Sequence, residues 1–236
     1  MRANYRALFP QLPDQSPFHR RAQALRLLVE ARRRVWRHQL AVTAETPFLL
    51  DTKPNPVVGS KRSKRRSACA GSANDSACVS RTMHYFGSTL VRMTTFYGLP
   101  AVDAFVPAHT DERAAAETVL GSLAGCTILA DTGFISPSWH MQIVAQTGHQ
   151  IGTVKRRNQQ QQNPKAVDRW LNSVREWIKG AFNAMHNTGR HSERLLAKTV
   201  VGVSTRVIAT MTSHALKHLL RHCFGIDVQT FEVASA

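Results

Sequence analysis

Two short apolar runs, each ending on an aspartate, constrain this chain more than any other feature. Phe48-Leu-Leu-Asp51 leads into Thr-Lys-Pro54-Asn-Pro56, and Cys126-Thr-Ile-Leu-Ala130 leads into Asp131-Thr-Gly133-Phe134. A short apolar run bounded by turn formers reads as a buried strand. The pattern predicts two such strands, each delivering one carboxylate to its exposed end. Pro54 and Pro56 are expected to stop regular structure after the first, because proline has no N–H to give a sheet ladder.

Periodicity places the other elements around these two. Ser16 and Pro17 open a basic helix to about Leu40, with a Leu25, Leu28, Val29, Val35-Trp36 side surrounded by Arg20, Arg21, Arg26, Arg32, Arg33, Arg34 and Arg37. That helix is expected to pack its apolar stripe on the rest of the chain and to offer arginines to phosphate. Gly59 to Ser80 reads as a loop that begins with the dense basic run Lys61-Arg62-Ser-Lys64-Arg65-Arg66. Met83–Thr95 and Ala101–Val106 read as a hairpin around Gly98-Leu-Pro100. A helix capped at Thr110 or Asp111 runs to Leu120; the Asp131 strand follows, then a helix from about Ser136 to Gln146 and a strand at Gln150–Val154. After the polar Gln159–Pro164 loop, a helix runs from Lys165 to about Met185, and a last helical region from Glu193 to His222. The order strand, strand, strand, helix, strand, helix, strand, helix predicts a mixed α/β sheet flanked by helices. In such a sheet the first strand can lie centrally, beside the strand that carries Asp131.

Lys and Arg number 31 against 15 Asp and Glu, a formal net charge of +16 over 236 residues. Such an excess points to a polyanion as partner, through released counterions and long-range attraction. No apolar run is long enough to span a bilayer, and Met1-Arg-Ala-Asn-Tyr lacks the apolar core of a signal peptide. The expected location is therefore cytoplasmic, on the nucleoid, with no membrane partner. The cysteines Cys69, Cys78, Cys126 and Cys223 form no CxxC pair and read as reduced thiols. His214, His218 and His222 share a helical face, which reads as a solvated basic face rather than a metal site.

Paired carboxylates suit Mg2+ or Mn2+, hard cations that also bond phosphate oxygens. Two such ions about 4 Å apart serve in-line displacement at phosphorus. A third acid usually completes the set. Downstream of Asp131 the acids are Asp168, Glu176, Glu193, Asp227 and Glu232, and Glu176, in mid-helix, is the one expected to point inward.

At these residues the chain resembles the DDE-type insertion-sequence transposases, whose catalytic domain is ribonuclease-H-like. Leu50-Asp51-Thr-Lys-Pro-Asn-Pro-Val57 is similar to the family's first-aspartate motif, and Asp131-Thr-Gly-Phe134 to its Asp-Lys-Gly-Tyr/Phe motif. Pro107-Ala-His-Thr-Asp-Glu-Arg113 resembles the stretch before its first long helix, Arg175-Glu-Trp-Ile-Lys-Gly-Ala-Phe182 its third block, and Tyr5–Ser16 with Phe18–Ala22 its N-terminal elements. The chain departs from the pattern at Thr132, where the family has Lys, at Phe86-Gly-Ser-Thr89, where it has Tyr-Gly-Tyr-Lys, and at Lys179, where it has the third acid. Glu176 lies nearly one turn earlier on a similar face, a shifted register for that acid.

The resemblance implies residues 1–45 as a basic, truncated DNA-binding segment, 46–190 as a ribonuclease-H-like α/β catalytic domain, and 191–236 as a helical extension packed on it. It implies Mg2+ or Mn2+ held by Asp51, Asp131 and Glu176, which would cut double-stranded DNA at an element end. The freed 3′-hydroxyl would then attack target DNA, with a homodimer assembled on the DNA. Lys61, Arg62, Lys64, Arg65, Arg66, Lys155, Arg156 and Arg157 are the expected backbone contacts. The alternative is a DNA-binding remnant of such a transposase without catalytic activity. An RNA-binding protein also fits the charge, but aromatics are only 7% and no stacking-platform motif occurs.

Overall fold

The computed structural model describes residues 11, 13–40, 47–59, 69, 71–78, 82–159, 162–187 and 199–226. In these, six strands and five α-helices form a mixed α/β fold: α1 (Gln15–Gln39), β1 (Phe48–Gly59), β2 (Asn74–Cys78), β3 (Met83–Thr95), β4 (Pro100–Pro107), α2 (Glu112–Leu120), β5 (Thr127–Ala130), α3 (Pro137–Thr147), β6 (Gln150–Thr153), α4 (Lys165–Asn187) and α5 (Val200–Phe224). β1 lies inside the sheet, antiparallel to β3 and parallel to β5. β6 extends the parallel side beyond β5. β2 and β4 share the far edge of β3, pairing with its first and second halves respectively.

Alternation along the strands separates two apolar layers. Phe48, Leu50, Val91, Met93, Ile128 and Ala130 face α2 and α3, meeting Ala115, Ala116, Val119, Trp139 and Ile143. Trp139 Nε1 donates to Glu117 at 2.8 Å and so ties α3 to α2. Leu49 and Leu129 face the opposite way, under Leu171 and Val174 of α4. On that second face Phe86 and Leu90 lie under Val203, Val207 and Met211 of α5, and α1 packs along α5. Each fully buried aliphatic or aromatic side chain in these layers contributes about 1.5–3 kcal/mol.

Two expectations about local structure need correction. Pro54 and Pro56 do not end β1, which continues through both to Gly59 with a register shift between Pro56 and Val58, so Asp51 is the fourth residue of the strand and not its exposed end. The prolines are two residues apart, so both missing N–H groups fall on one edge of the strand. Pairing with β5 stops at Leu50, which leaves that edge without a ladder to break. The stretch expected to be loop up to Ser80 contains β2, whose Asn74-Asp-Ser-Ala-Cys78 shows no apolar alternation. It is a strand because the long edge of β3 supplies the partner.

The crossing of β1 and β3 at this irregularity requires Gly87, because a Cβ there would stand 2.3 Å from the Asn55 carbonyl oxygen. The obstacle is backbone and cannot rotate away. Gly87→Ala is expected to cost about 1–3 kcal/mol or more, read as a lower urea midpoint with unchanged slope.

The histidine face also differs from expectation. His214 is buried against the β3–β4 turn, with Nε2 3.1 Å from the Gly98 carbonyl, and His218 packs on it edge-on. Burial, then Lys217 and Arg221, hold His218 below the usual histidine range. Only His222 of the three is exposed. No described helix is long and apolar enough to cross a membrane.

Candidate active site

The parallel register of β1 and β5 pairs Phe48 with Ile128, Leu49 with Leu129 and Leu50 with Ala130. The next residue on each strand is an aspartate. Neighbouring strands lie about 4.8 Å apart, so Asp51 and Asp131 stand side by side at the point where the two chains part. Both strands stay extended here, and alternation turns both aspartates to the face of Leu49 and Leu129, the side covered by α4. Each carboxylate is oriented by its own backbone: Asp51 accepts from Thr52 N–H at 2.8 Å, and Asp131 from Thr132 N–H at 2.6 Å. Asp131 also caps the single 3-10 turn Thr132–Phe134, which the buried Phe134 ring pins to Trp139.

Glu112, the first residue of α2, closes the opening from the other side. Its Oε1 accepts from Thr52 Oγ1 at 3.2 Å, and its Oε2 lies 1.9 Å from where a Cβ on Gly133 would stand. The Glu112 carboxylate thus reaches both Thr52, next to Asp51, and the Asp131 turn, in a space that only a glycine at 133 leaves open. In the sequence it stood only within the Pro107–Arg113 stretch, with no role assigned to it. The signal was its place directly after the Asp111 cap, which accepts from Arg113 N–H. Gly133→Ala is expected to expel the Glu112 carboxylate while shifting Tm by less than about 3 °C, since the obstacle is the flexible end of a side chain. A crystal structure of the variant, together with a melting curve, checks both parts.

α4 does not bring Glu176 to the aspartates. Leu171 and Val174 face the sheet, and Glu176 lies two residues on from Val174, about 200° round the helix and exposed. Its neighbour Trp177 stacks on Phe96, with ring centroids 5.7 Å apart. Phe96 follows the β3 residue paired with Phe48, so this is the starting end of β1 and not its aspartate end. The acid of α4 on the sheet-facing stripe is Asp168, three residues before Leu171 and half-buried. Asn163 Nδ2 donates both to Asp168 Oδ1 at 2.8 Å and to the Thr153 carbonyl at 3.1 Å. Thr153 is paired with Ala130, so Asp168 is anchored at the end of the sheet where Asp131 emerges. Glu176 is about 12 Å farther along the helix. Lys179 also lies on α4, with its side chain outside the described residues.

The cations fall into three groups. Arg156 Nη2 donates to the Thr132 carbonyl at 3.3 Å, which places a guanidinium on the Asp131 turn. Lys155 is close enough to His140, which bonds the Phe134 carbonyl, to help burial lower the histidine pKa. Gln162 holds this loop through the Arg156 and Gln159 carbonyls, while Gln159 accepts from Arg156 N–H. Arg157 is exposed in the same turn. Lys61, Arg62, Lys64, Arg65 and Arg66 lie outside the described residues. The third group is buried. Arg92 of β3, 1% exposed, is directly opposite Asp51 on one side and Asp103 of β4 on the other. Arg33 of α1 completes the row, 2.9 Å from Asp103 and bonded twice to Glu30. Charge therefore alternates Asp51, Arg92, Asp103, Arg33 from β1 to the basic helix. Burial pushes the Arg92 guanidinium down to about 10 against the pull of Asp103 and Asp51, so it remains a cation at neutral pH. The lone Arg within Leu90-Val-Arg-Met was the sequence signal for this row.

Oxygen donors from two carboxylates and open space for solvent suit Mg2+ or Mn2+, which keep several waters. Among the described residues, no group of three or more His, Cys, Asp or Glu side chains is drawn tightly enough together to hold a metal ion. Asp51 and Asp131 are the two carboxylates here whose oxygens suit such an ion. The chain matches no family model, no curated protein and no solved structure.

Proposed function

We propose that the chain is a DDE-type insertion-sequence transposase with a ribonuclease-H-like catalytic domain, acting on double-stranded DNA. The observation that carries this reading is the β1–β5 register, which pairs Leu50 with Ala130, the residues directly before Asp51 and Asp131. The central strand with one antiparallel and one parallel neighbour, and the +16 charge, support it. Asp51 and Asp131 would hold Mg2+ or Mn2+, and of the α4 acids Asp168, at the Asp131 end of the sheet, is nearer to them than Glu176. A bound ion supplies Lewis acidity and lowers the pKa of water. The chain's own residues do the positioning: Thr52 and Thr132 N–H groups fix the two carboxylates, and Arg156 and Lys155 offer charge to the phosphodiester. In cleavage, water oxygen bonds to phosphorus and the bond to the 3′ oxygen breaks, leaving a 3′-hydroxyl. In transfer, that hydroxyl attacks a target phosphodiester in the same way.

Lys179, at the position where the resembled family has its third acid, favours a second reading, a DNA-binding remnant. Incubation with supercoiled plasmid carrying the ends of the element, in Mg2+ or Mn2+, separates the two. Nicks with 3′-hydroxyl ends that need Asp51 and Asp131, but not Glu176, support the transposase. Binding without nicking supports the remnant.

A further inference from the structure

An open cavity of about 520 Å³ lies beyond the β4 edge, between α1 and α2, and Arg33, Arg34, Arg37 and His38 line it with Glu30 and Asp103. Three guanidiniums meet two carboxylates there, and the carboxylates are already committed. Arg33, 3% exposed, takes both oxygens of Glu30 and one of Asp103. Arg34 is 3.6 Å from Glu30 and 66% exposed, so that pairing is weak. Among the described residues Arg37 bonds only a neutral group, the Ala101 carbonyl, through Nη1. Arg37 Nε and Arg33 Nη1 are buried with no hydrogen-bond partner among the described residues. Buried donors without acceptors are costly, and two of them beside an unneutralised guanidinium mark a place built for an anion. Burial, and then the Arg33 charge, also hold Arg37 below the usual arginine range, the direction expected where positive charge is in excess.

We propose that this cavity binds a phosphate of the DNA backbone, gripped by Arg34 and Arg37 while Arg33 forms its fixed wall. The proposal rests on the DNA reading above and adds a second contact point to it. A polymeric ligand is favoured over a free anion by what surrounds the cavity. α1 carries further exposed arginines, Arg20, Arg21 and Arg32, against one acid, Glu30, in the whole helix. Asp103 is two strands from Asp51 along one row, about 10 Å, so a single duplex reaches both places. Guanidinium suits the task because its planar fork meets two phosphate oxygens at once.

The test is the salt dependence of binding, followed by anisotropy of a fluorescein-labelled 30-base-pair duplex in a KCl series. Arg34→Gln/Arg37→Gln is expected to weaken binding about tenfold at 0.1 M salt and to reduce the slope of log K against log salt by about 1. Arg37→Lys should keep most of the slope and lose part of the affinity. Arg34→Gln alone, on an exposed side chain, provides the comparison if the double variant melts early. Wild-type affinity and slope in Arg34→Gln and in the folded double variant would overturn the site while leaving the DNA reading intact. A wild-type protein that does not bind the duplex would overturn both. Calorimetric titration with inorganic phosphate is the remaining arm. Phosphate binding that the double variant loses, with duplex binding unchanged, would make this a small-anion site and overturn the DNA assignment.

Discussion

Asp51→Asn is expected to lower divalent-dependent strand cleavage by about 10³-fold or more, with duplex affinity changed less than about threefold. Asn keeps the size of the side chain and an oxygen to accept from Thr52 N–H, so the strand keeps its local bond. What it loses is the negative charge that, in the proposed function, Asp51 would offer to a divalent ion. A loss of several kcal/mol of charge stabilisation corresponds to that rate factor. Duplex affinity comes from cations elsewhere, among them Arg156 on the Asp131 turn and the arginines of α1. A plasmid-nicking time course and an anisotropy titration on the same protein measure the two effects separately. Full cleavage by the variant would remove Asp51 from the chemistry.

Arg92→Met is expected to cost about 3–5 kcal/mol of stability, the price of leaving Asp103 and Asp51 without the cation between them. For a domain of this size that is a fall in Tm of roughly 6–20 °C. Arg92 is 1% exposed, so water cannot replace it. Asp103 retains Arg33, which limits the loss to the lower part of that range if α1 stays docked. Adding Asp103→Leu should recover part of the cost, because removing both partners of a buried pair is milder than removing one. Urea denaturation of the two single variants and the double variant gives the coupling energy directly. A cost below about 1 kcal/mol for Arg92→Met would mean that the row holds nothing together.

The strands carrying the two aspartates were legible because their apolar runs are short, continuous and sharply ended, a pattern that few local structures share. The order of elements then made a neighbouring position for Asp51 and Asp131 natural, and the β1–β5 register has them adjacent. Three features were not legible, each for a reason of geometry. β2 has no apolar pattern of its own and owes its strand to the edge of β3. Pro54 and Pro56 read as a stop because the sequence does not show which edge of β1 they face. Glu176 read as the helix acid because it lies in mid-helix, nearly one turn before the family's third-acid position at Lys179, and the helical stripe was not used. Leu171 and Val174 fix that stripe, and it selects Asp168. Glu112 and Arg92 act through neighbours that only folding supplies, Gly133 for the first and Asp103 for the second.

Mn2+ binding followed by electron paramagnetic resonance tests the shared carboxylate pocket most directly, using wild type, Asp51→Asn, Asp131→Asn and the double variant. One pocket built from both side chains predicts that each single variant weakens Mn2+ binding at least about tenfold, roughly 1.4 kcal/mol. The double variant should then bind little worse than either single one, because each substitution already breaks the same site. Equal Mn2+ affinity in all four proteins would contradict a pocket formed by Asp51 and Asp131 together.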